Sequence, residues 1–291
     1  MRSHQGNRRI RVLARRFAVI SLAGSATLLV SGCTSQVERG WLPEASVGAT
    51  NQTERITTFW NNSWIAALIV GVLVWGLIIW CMVVYRRRRE ETGLPLQIRY
   101  NLPMEILYTV VPMVMVAVLF FFTARDEAAL AATDLKADVT VNVVGKQWAW
   151  DFNYREAGVY ESSAQVELDG KPVPEAEIPT LYLPVNKRVE FVLNARDVIH
   201  SFWIPAFLYK LDMLPGVTNK FQVVPQREGT FVGKCAELCG AYHSEMLFNV
   251  KVVPQAEYDA QMKALRDRGQ VGELNVELGR SDLPPTPTGS K

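Results

Sequence analysis

The sequence has few of the residues that would build a metal cluster or attach a haem. Its 291 residues include three histidines and four cysteines, and the formal net charge is +2. Three histidines are too few to provide the ligands of haems or of several metal centres. The near-neutral charge gives no indication of nucleic-acid binding. No Cys-x-x-Cys-His motif follows Met246, which excludes a fused c-type haem domain in that part of the chain.

The chain does have long apolar stretches, concentrated near its N-terminus. The first belongs to a targeting segment, residues 1–32, in which basic "MRSHQGNRRIRVLARR" precedes apolar "FAVISLAGSATLLV", a run too short to span a bilayer. Small residues in "VSGC" then lead to Cys33. This order predicts a bacterial lipobox, in which Cys33 is lipidated and becomes the mature N-terminus. The alternative is an ordinary signal anchor with an incidental cysteine.

Two further apolar stretches are long enough to cross a membrane. The first, 60–85, reads "WNNSWIAALIVGVLVWGLIIWCMVVY" and contains no charge. The basic run "RRRR" follows it, so the positive-inside rule places the loop 86–102 in the cytoplasm. A second helix is predicted over 103–125, running outward. We therefore expect a multi-pass protein of the bacterial cell membrane, with the N-terminal segment 33–59 and everything from about residue 126 outside the cytoplasm.

The pattern changes from about residue 126. Segments such as "ADVTVNVVGKQWAWDFNY" and "TLYLPVNKRVEFVLNA" alternate apolar and polar residues and are rich in β-branched and aromatic side chains. Short strands separated by Gly, Pro and Asn predict an all-β sandwich or barrel over 126–253. Within "WAWDFNY" the alternation places Trp148, Trp150, Phe152 and Tyr154 on one strand face. Residues 254–291 are expected to form a terminal helix and a disordered tail.

Potential metal ligands are concentrated in "KCAELCGAYHSEM", Lys234 to Met246. Cys235 and Cys239 could form a disulfide in an oxidising compartment. With His243 and His200 they could instead make a closed tetrahedral zinc site. Met246 favours copper, because a thioether is a soft ligand that zinc rarely uses. Two cysteines provide enough thiolate to bridge two coppers, with one histidine left for each.

The motif "CAELCGAYHSEM" together with His200 resembles subunit II of the haem-copper cytochrome c oxidases. The similarity extends over "GKQWAWDFNY", "DVIHSFWIP" and the paired helices, so it covers roughly residues 53–253. It implies a two-helix transmembrane hairpin followed by an extracytoplasmic all-β, cupredoxin-like sandwich that carries a binuclear copper centre, CuA. The implied copper ligands are two bridging thiolates, two imidazoles, one thioether and one backbone carbonyl: Cys235, Cys239, His200, His243, Met246 and Glu237. A disulfide would consume both bridging thiolates.

The resemblance implies further roles, each with a simpler alternative. The Glu237 side chain would reach a magnesium ion shared with subunit I, although it could be a solvated loop acid. Trp148 would receive the electron from cytochrome c, although it could pack in the core. Glu105 would stand at the mouth of a proton-uptake channel, although an acid suits a helix N-terminus without any function. Acids outnumber bases in 156–177, which indicates a solvated loop or a surface that steers a basic cytochrome.

The resemblance thus implies an oxidase subunit that accepts single electrons from cytochrome c at CuA. It would pass them to the haem of subunit I, where oxygen is reduced to water with proton translocation. Partners would be subunits I and III, a separate or membrane-bound cytochrome c, and the lipid membrane, but no nucleic acid. Three rival classes lack part of the pattern. A quinol oxidase subunit lacks the copper ligands, nitrous oxide reductase is soluble and histidine-rich, and a metal-binding lipoprotein would not need two spanning helices.

Overall fold

The computed structural model describes residues 34–87, 93–94, 97–163, 166 and 169–275. The chain divides into two compact units, Met1–Glu44 and Ala45–Lys291. In the described part of the first unit, a short helix α1 spans Ser35–Glu38, and the Thr34 hydroxyl caps it by accepting a hydrogen bond from the Val37 N–H. The predicted lipobox and Cys33 lie outside the described residues.

Two long apolar helices open the second unit. Helix α2 spans Thr53–Val84 and α3 spans Leu102–Ala131, and both are long and apolar enough to cross a membrane. Each continues past its predicted span, α2 at its start and α3 at its end. Their apolar side chains are mostly exposed in the isolated chain, as expected of helices whose solvent is lipid. The predicted helix hairpin is confirmed.

An ion pair joins the start of α2 to the last part of α3. Arg55 of α2 donates to the Asp126 carboxylate of α3 at 3.1 Å, and the neighbouring Arg125 approaches the same oxygen at 2.9 Å. The Asp126 residue is only 7% exposed. A buried carboxylate is costly unless it is paired, so this contact fixes the helices against each other here.

The second unit also contains a β-sandwich of two five-stranded sheets. Its strands are β1 Val139–Lys146, β2 Ala149–Tyr154, β3 Val159–Ser162, β4 Thr180–Pro184, β5 Val189–Ala195, β6 His200–Ile204, β7 Tyr209–Met213, β8 Asn219–Val223, β9 Gly229–Cys235 and β10 Leu247–Val253. The strand order is β3-β2-β1-β5-β8 in one sheet and β4-β10-β9-β6-β7 in the other. Pairs β1–β5 and β4–β10 are parallel, and the other pairs are antiparallel. The predicted sandwich is confirmed.

Aromatic side chains fill the space between the sheets. Trp150 and Phe152 of β2 are fully buried and pack edge-on against Phe248 of β10, which stacks on Phe202 of β6 with ring centroids 5.0 Å apart. Such rings contribute large buried apolar areas, so they hold the two sheets together. The aromatic alternation predicted for this strand therefore faces the core from Trp150 onward, whereas Trp148 lies in the turn before β2.

The sandwich is attached to the helix hairpin at two places. Before α2, Asn51 and Val224 exchange hydrogen bonds through the Asn51 N–H and side chain, at 3.0 and 2.8 Å. After α3, the buried Gln222 amide donates to the carbonyls of Thr133 and Leu135 at 3.4 and 2.9 Å. Both chain segments that connect helices to sandwich are thus held against the region around β8.

A C-terminal helix and the segment that follows it cover one edge of the sandwich. Helix α4 spans Gln255–Asp267, and its buried side chains, Tyr258, Met262 and Leu265, recur at helical spacing. After the helix, Val271 forms a bridge with Val159 of the edge strand β3. Covering an edge strand in this way removes a template for unwanted strand pairing. The predicted disordered tail falls largely outside the described residues.

Candidate metal centre

Strand pairing brings the predicted ligands together. Strand β6 begins at His200 and β9 ends at Cys235, and the two strands are antiparallel neighbours with Phe202 opposite Cys235. The loop from β9 to β10 carries Cys239 and His243 back over the same end of the sheet. Residues that are 35 positions apart in the chain therefore meet at one rim of the sandwich.

Soft donor atoms surround the two thiols. The sulfurs of Cys235 and Cys239 lie 3.8 Å apart, and both cysteines are free and buried. The His200 Nδ1 atom is 3.8 Å from the Cys235 sulfur, and the His243 Nδ1 atom is 3.5 Å from the Cys239 sulfur. The Met246 Sδ atom lies 3.9 Å from the Cys239 sulfur. Two thiols, two imidazoles and a thioether therefore share one small volume.

A backbone carbonyl completes the group. The Glu237 oxygen lies 3.2 Å from the Cys235 sulfur, while the Glu237 side chain is partly exposed. The ligand atoms of His200, Cys235 and Cys239 all lie within 4.8 Å of one another, close enough to hold a metal ion. Metal–thiolate bonds of about 2.3 Å allow two sulfurs on a shared metal to stand up to about 4.6 Å apart, so the observed sulfur spacing fits a shared ion.

The interaction between the two thiols shifts their pKa values in opposite directions. The hydrogen bond with Cys239, helped by His200, lowers the pKa of Cys235 to about 3 despite the opposing effect of burial. The same interaction with Cys235 raises the pKa of Cys239 well above its usual range, and burial adds to the rise. One thiolate is therefore stabilised without any metal, whereas the second needs added positive charge to form. This combination suits a cation that deprotonates the second thiol on binding.

Asp197 orients His200 from behind. Its carboxylate lies 2.8 Å from the His200 Nε2 atom, which leaves Nδ1 facing the thiols. Burial disfavours the charged imidazole, but the contacts with Asp197 and Cys235 together outweigh this effect and raise the His200 pKa. Burial likewise opposes ionisation of Asp197, but hydrogen bonds from His200, the Gln147 N–H and the Val198 N–H lower its pKa. A carboxylate on the far ring nitrogen is the usual support of a metal-binding histidine.

The loop is also fixed by contacts to its backbone. The Gln147 side chain donates to the Cys239 carbonyl at 2.8 Å, and the Gln147 N–H donates to Asp197 at 2.6 Å. The buried Trp150 indole donates to the Met246 carbonyl at 3.2 Å. Sequence reasoning missed Asp197 and Gln147 as parts of the site. The position of Asp197, three residues before a predicted ligand, was a usable signal, whereas the sequence offered none for Gln147.

Trp148 lies directly over the cysteine loop. Its ring is partly buried against Tyr242, with centroids 5.3 Å apart, and its indole nitrogen is buried without a hydrogen-bond partner among the described residues. A Cβ atom on Gly240, which has a φ of +124°, would stand 2.8 Å from this ring. Only glycine combines that backbone conformation with such a close approach. Trp148 is thus partly exposed and partly packed against the cysteine loop.

Glu105 lies far along the chain from this group and has a local structural role. It is in the first turn of α3, where its carboxylate accepts a hydrogen bond from the Asn101 N–H at 3.0 Å. The Asn101 side chain in turn accepts from the Met104 N–H at 3.4 Å. This reciprocal arrangement caps the helix in the manner of a capping box. It leaves the predicted proton-uptake role as a prediction.

Comparisons with known proteins match both parts of the chain. The family model of the cytochrome c oxidase subunit II periplasmic domain matches residues 139–253, and the model of its transmembrane domain matches residues 41–125. A probable cytochrome c oxidase subunit 2 of Streptomyces avermitilis is 46% identical over 304 residues, covering 93% of each chain. The cytochrome c oxidase subunit 2 of Mycobacterium bovis is 32% identical over 317 residues, covering 92% of this chain and 85% of its own.

A solved structure is also similar over the sandwich. The periplasmic domain of cytochrome oxidase subunit II from Bradyrhizobium japonicum is 32% identical, with a TM-score of 0.40. The match covers 46% of this chain and 97% of that one.

Proposed function

Because the chain belongs to the cytochrome c oxidase subunit II family, and is thus part of an oxidoreductase, we propose that it is the subunit through which electrons enter the oxidase. It receives single electrons from cytochrome c and delivers them towards the haem of subunit I, where oxygen is reduced to water with proton translocation. The observation that supports this most directly is the shared volume of two free thiols, two imidazoles and a thioether at one rim of the sandwich. A rim with only a structural role would not need this set of metal-binding atoms.

The proposed cofactor is a pair of copper ions, for which the soft donors are suited. Cys235 and Cys239 would hold the copper through their thiolates, and His200 and His243 would each contribute one imidazole nitrogen. Met246 and the Glu237 carbonyl are the remaining, weaker ligands. Bound in this way, the copper pair supplies a one-electron redox couple.

The chain itself supplies rigidity, which favours electron transfer with little rearrangement. Asp197 holds the His200 ring, Gln147 holds the Cys239 carbonyl, and Trp150 holds the Met246 carbonyl. These partners come from outside the cysteine loop, so the loop is fixed from several sides. Hydrogen-bonded partners of ligands commonly change metal affinity by 10- to 100-fold when removed, as an order of magnitude.

Electrons are proposed to enter at Trp148. Its ring covers the cysteine loop, and Tyr242 connects it to the segment before β4, because the Tyr242 hydroxyl accepts a hydrogen bond from the Gly170 N–H at 3.2 Å. That segment belongs to the acid-rich stretch 156–177, in which Glu175 and Glu177 are exposed. We propose that these acids steer a basic cytochrome to the face beside Trp148.

The proposal includes further assignments. Glu237 is suited by its carboxylate to hold magnesium at the boundary with subunit I. Glu105 is assigned to proton uptake in addition to its capping contact, and subunit III is a further partner. In the bacterial cell membrane, the sandwich and the N-terminus, anchored by lipidated Cys33, would lie outside the cytoplasm, consistent with the basic residues that follow α2.

The copper assignment can be tested by electron paramagnetic resonance of the full chain, purified in detergent and loaded with copper. We expect hyperfine splitting from one electron shared by two copper nuclei. Cys235→Ser should abolish the shared signal, whereas Cys81→Ser, which removes a thiol from helix α2, should leave it unchanged. A single-copper spectrum from the unmodified chain, or a colourless zinc protein, would overturn the proposal.

The role of Trp148 can be tested by stopped-flow reduction of the intact oxidase with cytochrome c. We expect Trp148→Ala to slow reduction without altering the copper spectrum, and Trp41→Ala, at a residue that is 70% exposed, to have no effect. An unchanged rate in Trp148→Ala would assign the ring to packing alone.

A further inference from the structure

The two apolar helices leave a groove between them at the end nearest the sandwich. Its volume is about 640 Å³. The walls are formed mainly by apolar side chains, including Ala66 of α2 and Met115, Leu119 and Phe122 of α3. Arg125 and Asp126 also line the groove, and they lie in the sandwich-side part of α3. The groove is thus apolar along its length and charged at its mouth.

The dimensions of the groove match one leaflet of a bilayer. Along α3, Arg125 is the eleventh residue after Val114, which at about 1.5 Å per residue is about 17 Å of helix. Half of a hydrocarbon core of roughly 30 Å is about 15 Å. Thr58 and Asn62, one and two turns along α2 from Arg55, add groups near the mouth that can hydrogen-bond. The polarity therefore runs from charged, through polar, to apolar in the direction of the membrane centre.

The contacts that fix Arg125 do not use all of its N–H donors. Its Nε and Nη2 atoms approach one Asp126 oxygen at 3.0 and 2.9 Å, and its guanidinium lies 5.0 Å from the centre of the Phe122 ring. A guanidinium has five N–H groups, so these contacts leave others to bind a further anion. The Arg125 side chain is 54% exposed.

At the Asp126 carboxylate itself, positive charge exceeds negative charge. Arg55 also contacts the Asp126 oxygen, so two guanidinium groups share one carboxylate. An apolar helix of another subunit would leave this excess charge unmatched, whereas a phosphate would complete it with bidentate hydrogen bonds.

We propose that this groove binds one membrane glycerophospholipid of the leaflet on the sandwich side. Its phosphate binds Arg125, its glycerol region lies near Thr58 and Asn62, and one acyl chain lies along Ala66, Met115 and Leu119. The site is separate from the metal centre, and the inference depends only on the hairpin lying in a bilayer. The lipid would fill the space that the helices leave open below their ion pair.

The test uses the intact oxidase complex in mild detergent and a phosphatidylglycerol that carries a photoactivatable diazirine on its acyl chain. After irradiation, peptide mapping by mass spectrometry should place the label on α3 between residues 114 and 122. Arg125→Gln should reduce labelling about tenfold, because a charge-assisted phosphate contact is lost. Ala66→Phe should reduce it by filling the groove with all charges retained. Arg86→Gln, at the opposite end of α2, is the matched control and should label normally.

Copper content and subunit composition are measured on the same preparations, so a failure of the copper proposal is seen separately. If Arg125→Gln does not assemble, Ala66→Phe alone decides the outcome. Absence of label from 114–122 in the intact complex would overturn the proposal, as would equal labelling of Ala66→Phe and the unmodified protein. Cross-linking of this stretch to subunit I in place of lipid would also overturn it.

Discussion

Gly233 offers a sharp test of the packing beneath the metal centre. It lies in β9 two residues before Cys235, opposite Phe248 of β10. A Cβ atom built on Gly233 would stand 2.1 Å from the Phe248 ring, whereas carbon atoms in contact are about 3.5–4.0 Å apart. Gly233→Ala therefore requires the ring to move by about 1.5 Å. The ring cannot move freely, because it stacks on Phe202 and packs against Trp150.

Overpacking a filled core typically costs about 1–3 kcal/mol, and so large an overlap places Gly233→Ala near 3 kcal/mol. For a folded unit of this size, each kcal/mol lowers Tm by about 2–4 °C, so we expect a loss of about 6–12 °C. The assay is near-ultraviolet circular dichroism of the purified chain during heating. Gly71→Ala in α2 is the control, because a Cβ atom there meets nothing within 4 Å. A Tm within 2 °C of the unmodified chain for both variants would refute the packing described for Phe248.

Three other predictions concern buried charge and the metal. Lys146→Met should destabilise the sandwich by about 3–5 kcal/mol in denaturant unfolding, because it leaves the fully buried Asp151 carboxylate without its lysine. The control, Lys187→Met at an exposed position, should have little effect. Equal losses of stability in the two variants would argue against the ion pair. Asp197→Asn should weaken copper retention against a chelator by about 10- to 100-fold, with exposed Asp134→Asn as control; unchanged retention would remove Asp197 from the support of the centre. Extracting copper with a chelator should lower Tm, because a ligand that binds only the folded state stabilises it; an unchanged Tm would contradict binding at a folded site.

The sequence predicted the architecture because its signals are local. An uncharged run of spanning length and an alternating aromatic strand are read from neighbouring residues, so both the helices and the sandwich were predictable. The observed helix limits differ from the predicted ones because residues 53–59 and 126–131 continue the helical hydrogen bonding beyond the apolar core of each span. Polar residues at these ends carry no periodic signal for where a helix stops.

The support of the metal centre was less predictable because it depends on contacts between distant segments. Gln147 reaches the Cys239 carbonyl across 92 positions, and Trp150 reaches the Met246 carbonyl across 96. Periodicity predicts which residues face inward but gives no information about which strand lies beside which. The candidate ligands were predicted from their chemistry and from the family motif, whereas their hydrogen-bond partners could be identified only from the fold.

The paired attachments of the sandwich to the helices have a mechanical consequence. Asn51 fixes the chain before α2 and Gln222 fixes the chain after α3, both on the region around β8. With a single attachment, the sandwich could rotate about the connecting segment. Two attachments on the same side restrict that rotation. The distance from the metal centre to the bilayer is then set by the protein's own framework. For the proposed electron entry, this means that the electron donor moves to the sandwich, because the sandwich itself is held in place.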